Sequence, residues 1–279
     1  MSGGIDLALR LSLLAAALDP PLLWFERMPI LILAGLGLVV PGALRSRALW
    51  TSLLALAVWP LFFNWPFSDN HDYLSALWFL AVACALWSAD PPAALAHQAR
   101  RLLGLTFLFA TLWKLVLSPD FVDGRFFRLT LLTDARFENL AVLAGGMSWE
   151  EWARNDAAID DLLTAETPPA ESVLVEPPEL RRLAALLTFF TGAIEAAIAA
   201  AFLWRRGSRL SRARDALLLA FAAATFSFAT VRGFGWLLMC LGLAQCEPER
   251  RTTRAAYLAV FALIALYRST PWSRFLIEW

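Results

Sequence analysis

Nine apolar runs divide this chain and restrict it more than any other feature. They are Ile5–Leu18, Pro29–Leu44, Ala48–Phe63, Tyr73–Trp87, Leu102–Leu117, Leu183–Trp204, Ala216–Ala229, Phe234–Ala244 and Ala255–Tyr267. A bilayer span needs roughly 20 apolar residues, fewer where flanking groups snorkel or the bilayer thins. Several runs are shorter, so nine spans is an upper count. Composition agrees. Hydrophobic residues make up 59% of the chain, against a usual ~45–50%, and the mean hydropathy is +0.58. A soluble fold of 279 residues has too little interior to hide that much apolar surface. The expected fold is all-α, a polytopic membrane bundle of eight or nine spans, with residues 1–279 as a single transmembrane domain.

Several function classes drop out. Zero net charge and a pI near 6.7 exclude a generic nucleic-acid binder. Three cysteines, Cys84, Cys240 and Cys246, cannot build a disulfide framework. There is no CxxC or HExxH, and the histidines are His71 and His97, so no metal is expected. Leu7–Leu18 imitates the apolar core of a signal peptide. It lacks a basic flank, and Asp19-Pro20-Pro21 is a poor cleavage site. A retained first span is expected.

The connecting segments alternate in charge. Arg45 and Arg47, Arg100 and Arg101, Arg205 to Arg214, and Arg250 to Arg254 fall in every second loop. Asp19 and Glu26, Asp69 and Asp72, and the stretch from Asp120 to Glu179 fill the others. Basic loops stay cytoplasmic. The N-terminus is therefore expected in the cytoplasm of a bacterial inner membrane, and the acidic loops outside. Residues 118–182 form the one long polar segment. Ser118-Pro119-Asp120 reads as a helix start. Phe126, Phe127, Leu129, Leu131 and Leu132 interleave with Arg125 and Arg128, which suits a helix lying in the interface. Ser148-Trp149-Glu150-Glu151 is a capping-box pattern opening a helix through Leu163. Thr167–Leu180, with two Pro-Pro pairs, reads as an extended linker. The segment is either a surface cover or a substrate lid.

Charge inside a bilayer is costly, so ionisable residues in the runs are functional candidates. Lys114, the sole lysine, lies in the outer half of the fifth run, beside Trp113. Desolvation can make a lysine amine a general base; the alternative is snorkelling to the interface. Glu195 lies near the middle of the sixth run. It is expected to be paired, protonated or facing a cavity, with Arg10 or Arg232 as partner. Arg232 is otherwise an anion ligand or an interfacial anchor. His71, in Asn70-His71-Asp72-Tyr73, shares the outer face with Lys114 and is a candidate polar partner.

These residues resemble a known family. Leu7-Ala8-Leu9-Arg10, Asn70-His71-Asp72-Tyr73-Leu74, Trp113-Lys114-Leu115 through Phe121-Val122-Asp123-Gly124, and Glu195 in its Gly-containing run are similar to segments of the HTTM (horizontally transferred transmembrane) domain. The vitamin K-dependent gamma-carboxylases are its best-known members. The order holds from about residue 5 to 250. The resemblance implies Lys114 as the base that deprotonates vitamin K hydroquinone or another quinol, with His71 as its active-site partner. It implies Glu195 as a buried structural or proton-handling group; Trp113, Asn70, Tyr73 and Arg232 are the candidates to line the quinol, and Arg10 is the candidate buried charge partner of Glu195. It also implies a secreted peptide or protein as substrate. Carboxylases carry a histidine in the penultimate region, where Ala216–Ala229 has none. That leaves a second expectation: a non-catalytic accessory membrane factor for maturation or export of a secreted peptide. A transporter or proton relay would need Glu195 and Arg10 to line a through-path.

Overall fold

The computed structural model describes residues 3–18, 24–164, 174–227 and 231–267. Asp19-Pro20-Pro21, residues 167–173 of the expected linker, and Phe228 and Ala229 lie outside the described residues. Among those described the chain is helical throughout, without strands, and each apolar run supplies a helix. The helices are α1 Gly3–Leu18, α2 Trp24–Val39, α3 Arg47–Asn64, α4 Asn70–Trp87, α5 Pro91–Leu112, α6 Pro119–Val122, α7 Arg125–Thr133, α8 Glu138–Ala144, α9 Trp149–Thr164, α10 Pro178–Leu203, α11 Arg209–Arg212, α12 Arg214–Phe226, α13 Arg232–Gln245 and α14 Arg251–Tyr267.

Among the described residues one helix, α10, is long and apolar enough to cross a membrane. Length separates it from most others. Helices α1 and α2 have 16 residues and α13 has 14. At 1.5 Å per residue, 14 residues rise about 21 Å, short of a ~30 Å hydrocarbon core.

The chain forms two compact units. The first takes the described residues of Met1–Thr106, Ile198–Ala223 and Val231–Leu266. Its inner element is α13, buried from Gly235 to Leu243 and packed on α1 and α4. A helix apolar on all sides is a core helix, and this one is covered accordingly. Its large indoles reach polar partners, as buried Trp side chains usually do. Trp78 Nε1 donates to Ser12 Oγ at 2.9 Å, and Trp50 Nε1 donates to the Leu44 carbonyl at 2.8 Å. Close approach depends on Gly242, where a Cβ would stand 2.3 Å from Tyr257 Cε1. Tyr257 is fully buried and its hydroxyl is bonded, so its ring has little room to yield.

The second unit takes the described residues of Phe107–Ala197, with a few from the ranges 224–230 and 267–279. Here the long polar segment has a core of its own. Phe121, Phe127, Leu131, Met147, Trp152 and Leu180 pack together. Helix α7 therefore turns Phe127, Leu131 and Leu132 inward and leaves Phe126 and Leu129 exposed. Gly124, at φ +80°, turns the chain between α6 and α7 in a conformation that L side chains avoid. The Ser118 carbonyl, not its hydroxyl, caps α6 by accepting from Phe121 N at 3.1 Å. The capping box of α9 forms: Ser148 N donates to Glu151 Oε2 at 2.8 Å, and Glu151 N donates to Ser148 Oγ at 3.2 Å. The expected linker ends at Pro177, because Pro178 starts α10 at the first-turn position where its missing N–H costs nothing.

Residues 174–177 are held as a strap. Asn155 Nδ2 donates to the Val175 carbonyl and Asn155 Oδ1 accepts from Val175 N, both at 2.9 Å. Glu176 accepts from Arg128 Nε and Nη2 at 2.6 and 2.7 Å and pairs with Arg181 at 3.1 Å.

Two expectations follow for stability. Gly242→Ala should destabilise by about 1–3 kcal/mol through overpacking, whereas Gly35→Ala, with open space around it, should not; thermal melts in detergent compare them. The Arg128 hydrogen bonds hold the Glu176 carboxyl below its ordinary 4.5, against the opposing effect of burial. A carboxyl depressed by folding stabilises above its unfolded pKa and loses that contribution as pH falls through the folded value. The second unit should lose stability as pH falls below about 4.5, and Glu176→Gln should flatten that slope. Equal slopes for the two proteins would remove Glu176 from the account.

Candidate functional site

The helical path continues past the end of α5 at Leu112. The next turn, Trp113–Leu117, is π-helical. Such turns close hydrogen bonds over one extra residue, shift the register of the following side chains, and gather at functional sites. In this turn Lys114 Nζ donates to Glu195 Oε1 from α10. The ammonium also stands 5.6 Å from the centre of the Phe121 ring, within cation–π reach. Exposure divides the pair: the Lys114 side chain is 26% exposed and that of Glu195 6%. The amine sits at an edge, and the carboxylate is inside. On the same turn Trp113, Leu115, Val116 and Leu117 are exposed, an apolar surface beside Lys114 in the chain. Gly192, one turn before Glu195, lies at contact distance from Leu115. Glu195 Oε2 has no hydrogen-bond partner among the described residues.

Glu195 thus has Lys114 as its partner within the second unit, whereas Arg10 and Arg232 belong to the first unit. Arg10 is exposed on α1, with Nη1 3.5 Å from the Leu38 carbonyl. Arg232 opens α13 and is half-buried. His71, Asn70 and Tyr73 lie at the start of α4, in the first unit. There the His71 ring sits between two carboxylates, 3.9 Å from Asp69 and 3.6 Å from Asp72. Asp72 also accepts from Asp69 N at 3.0 Å, closing the first turn of α4. The Tyr73 hydroxyl donates to the Trp65 carbonyl. Asn70 is exposed.

A groove of about 620 Å³ runs along α10, lined by Leu186, Phe189, Phe190, Ala193, Ile194 and Ala197 among others. Ala193 and Ala197 stand two residues either side of Glu195, so they point about 160° away from it around the helix. Its described lining does not include Lys114.

The sequence reading passed over one constellation. Asp215, in the first turn of α12, is buried and receives three groups. Arg250 Nη1 donates to Oδ2 at 2.8 Å, while Gln245 Nε2 and the Tyr257 hydroxyl donate to Oδ1 at 2.6 and 2.8 Å. Arg214 Nε donates in turn to Gln245 Oε1 at 2.8 Å. Burial, with Asp215 nearby, pushes the Cys246 thiol up to about 11, so it is not a reactive thiolate. The available signal was an acid standing among the arginines from Arg205 to Arg214. No protein-family model, curated protein or solved structure matches the chain.

The Lys114–Glu195 pair makes a stability prediction. Removing one partner of a buried pair leaves an uncompensated charge, at a cost of about 3–5 kcal/mol. Lys114→Met should lower the melting temperature, and adding Glu195→Leu should restore most of it. Additive losses in the double-mutant cycle would mean that the two side chains are not coupled.

Proposed function

We propose that the chain is an integral membrane protein of eight or nine spans, with a cytoplasmic N-terminus and an extracytoplasmic active face. In this reading it is an enzyme resembling the membrane part of vitamin K-dependent gamma-carboxylases and belongs with the HTTM domain. The apolar runs, the spanning length of α10 and the alternation of loop charge support the membrane placement. Shorter helices such as α13 are accommodated by local thinning and by flanking arginines that snorkel.

The observation that carries the catalytic reading is the Lys114–Glu195 pair in its π-helical turn. Ionisable pairs within apolar spans mark proton and substrate paths. The exposed surface of Trp113, Val116 and Leu117 beside a reachable amine fits a planar, lipid-soluble hydroxyl donor approaching from the bilayer. A quinol bound there, vitamin K hydroquinone or a relative, would supply the redox chemistry that carboxylases use to activate a glutamate side chain of a secreted peptide. An ammonium cannot accept a proton, so the active form is the one whose shared proton rests on Glu195. In that form Lys114 Nζ, neutral and held by Glu195 and Phe121, would be able to accept a hydroxyl proton. Phe121 stabilises the charged amine from its ring face.

A second reading has its own observation. The α10 groove faces away from Glu195, and Lys114 already has a carboxylate and a ring as partners. Those contacts suit a structural pair in a non-catalytic accessory factor for peptide maturation or export.

The two readings part in an assay of the purified chain in lipid nanodiscs with vitamin K hydroquinone and oxygen. The enzyme reading expects quinol oxidation above the protein-free rate. It expects Lys114→Ala, folded by its melting curve, to fall by roughly a hundredfold or more, the scale of a lost general base. Oxidation equal in both proteins would leave the accessory reading.

A further inference from the structure

We propose that the turn joining α10 to α12 is a binding site for the phosphate headgroup of an anionic phospholipid. It rests on the membrane placement proposed above and not on the chemistry of Lys114.

The turn is built, not loose. Helix α10 ends at Leu203, and the chain reverses at Gly207, whose φ is +86°. Ser208 Oγ then accepts from Ser211 N at 3.0 Å and starts α11. From α5, the buried side chain of Arg100 enters this turn. Its Nε donates to the Phe202 carbonyl at 2.8 Å, and Nη2 donates to the Trp204 carbonyl at 2.9 Å and to Ser211 Oγ at 3.0 Å. One guanidinium thus meets the open carbonyls at the end of α10 and fixes the turn to α5.

Around this fixed turn the charge has one sign. Arg205, Arg206, Arg209 and Arg212 are exposed, as is Arg101 on α5. None of these five forms an ion pair among the described residues. The arginines acting on Arg100 are Arg214, Arg206 and Arg101, and the carboxylate opposing them is Asp215. Asp215 is already taken up by Arg250, Gln245 and Tyr257. The cluster therefore keeps unmatched positive charge at a defined place.

The apolar neighbours point to the source of the matching anion. Trp204 is 60% exposed, and Leu203 and Leu210 are exposed beside it. An exposed indole and leucines next to arginines, directly after a helix of spanning length, match the boundary between acyl chains and headgroups. A free anion in water would have no use for that apolar rim. Basic clusters at the cytoplasmic end of a span attract anionic lipid, each Lys or Arg adding to the affinity. Arginine further offers forked donors that fit phosphate oxygens. The ligand is thus a phospholipid with net negative charge, its phosphate among Arg205, Arg206, Arg209 and Arg212 and its glycerol and first methylenes against Trp204 and Leu210.

The test uses the full chain in a non-ionic detergent, with bound lipid read by native mass spectrometry. The titrants are phosphatidylglycerol, phosphatidylcholine and inorganic phosphate. Phosphatidylglycerol should bind at least about tenfold tighter than phosphatidylcholine, given several arginines in the site. The R205Q/R206Q/R209Q/R212Q variant should lose that preference, while R154Q/R182Q, removing charge elsewhere, should keep it. Should the quadruple variant fail to fold, R206Q/R209Q serves, with a partial loss expected. Equal affinity for the two lipids, or a preference that survives both variants, overturns the proposal. Inorganic phosphate competing on equal terms with phosphatidylglycerol overturns the lipid assignment. Lys114→Ala should leave the lipid preference unchanged, so failure of the enzyme reading is distinguishable from failure of this one.

Discussion

A charged side chain taken out of water must find its partner inside the protein, and each buried charge among the described residues is met by a specific group. Desolvation costs several kcal/mol per ion, and geometry must supply the return. Lys114 meets Glu195, Asp215 gathers Arg250, Gln245 and Tyr257, and Arg100 satisfies the open end of α10. Glu176, held between Arg128 and Arg181, does the same for the strap. The apolar helices set the amount of buried surface, and these polar contacts fix individual helix ends and turns to their neighbours.

The differences among these clusters matter for function. The Asp215 cluster is satisfied on both carboxylate oxygens and contains a thiol held protonated, which suits a fixed structural knot. The Lys114–Glu195 pair is incomplete by comparison. Its carboxylate keeps one oxygen without a hydrogen-bond partner among the described residues, and its amine reaches the surface of an irregular turn. An incompletely satisfied buried charge beside a backbone irregularity is the pattern expected where local stability gives way to chemistry.

The polar segment after α5 shows what a sequence pattern specifies and what it leaves to packing. The alternation of Phe126 to Leu132 with Arg125 and Arg128 does specify an amphipathic helix, and α7 is one. An amphipathic helix carries no label for its partner, however. A membrane surface and a small protein core offer the same apolar burial. Phe121, Met147, Trp152 and Leu180 come from separate elements, and their convergence gives Phe127, Leu131 and Leu132 a core while Phe126 and Leu129 stay exposed.

The sequence by itself determined that the chain would be helical and where its helices would fall, because apolar periodicity and capping residues act over a few neighbouring positions. Ser148 and Glu151 close their capping box as written, and all nine apolar runs supply helices. It also singled out Lys114 and Glu195, since charges within apolar runs are conspicuous without any fold. That the two would pair was left to the tertiary structure. So were the π-helical turn, the Asp215 knot and the direction in which the α10 groove faces. Each of these depends on contacts between residues distant in the chain, such as the 81 positions separating Lys114 from Glu195. Local pattern carries no information about such meetings, because packing selects them among many partners of the same chemistry.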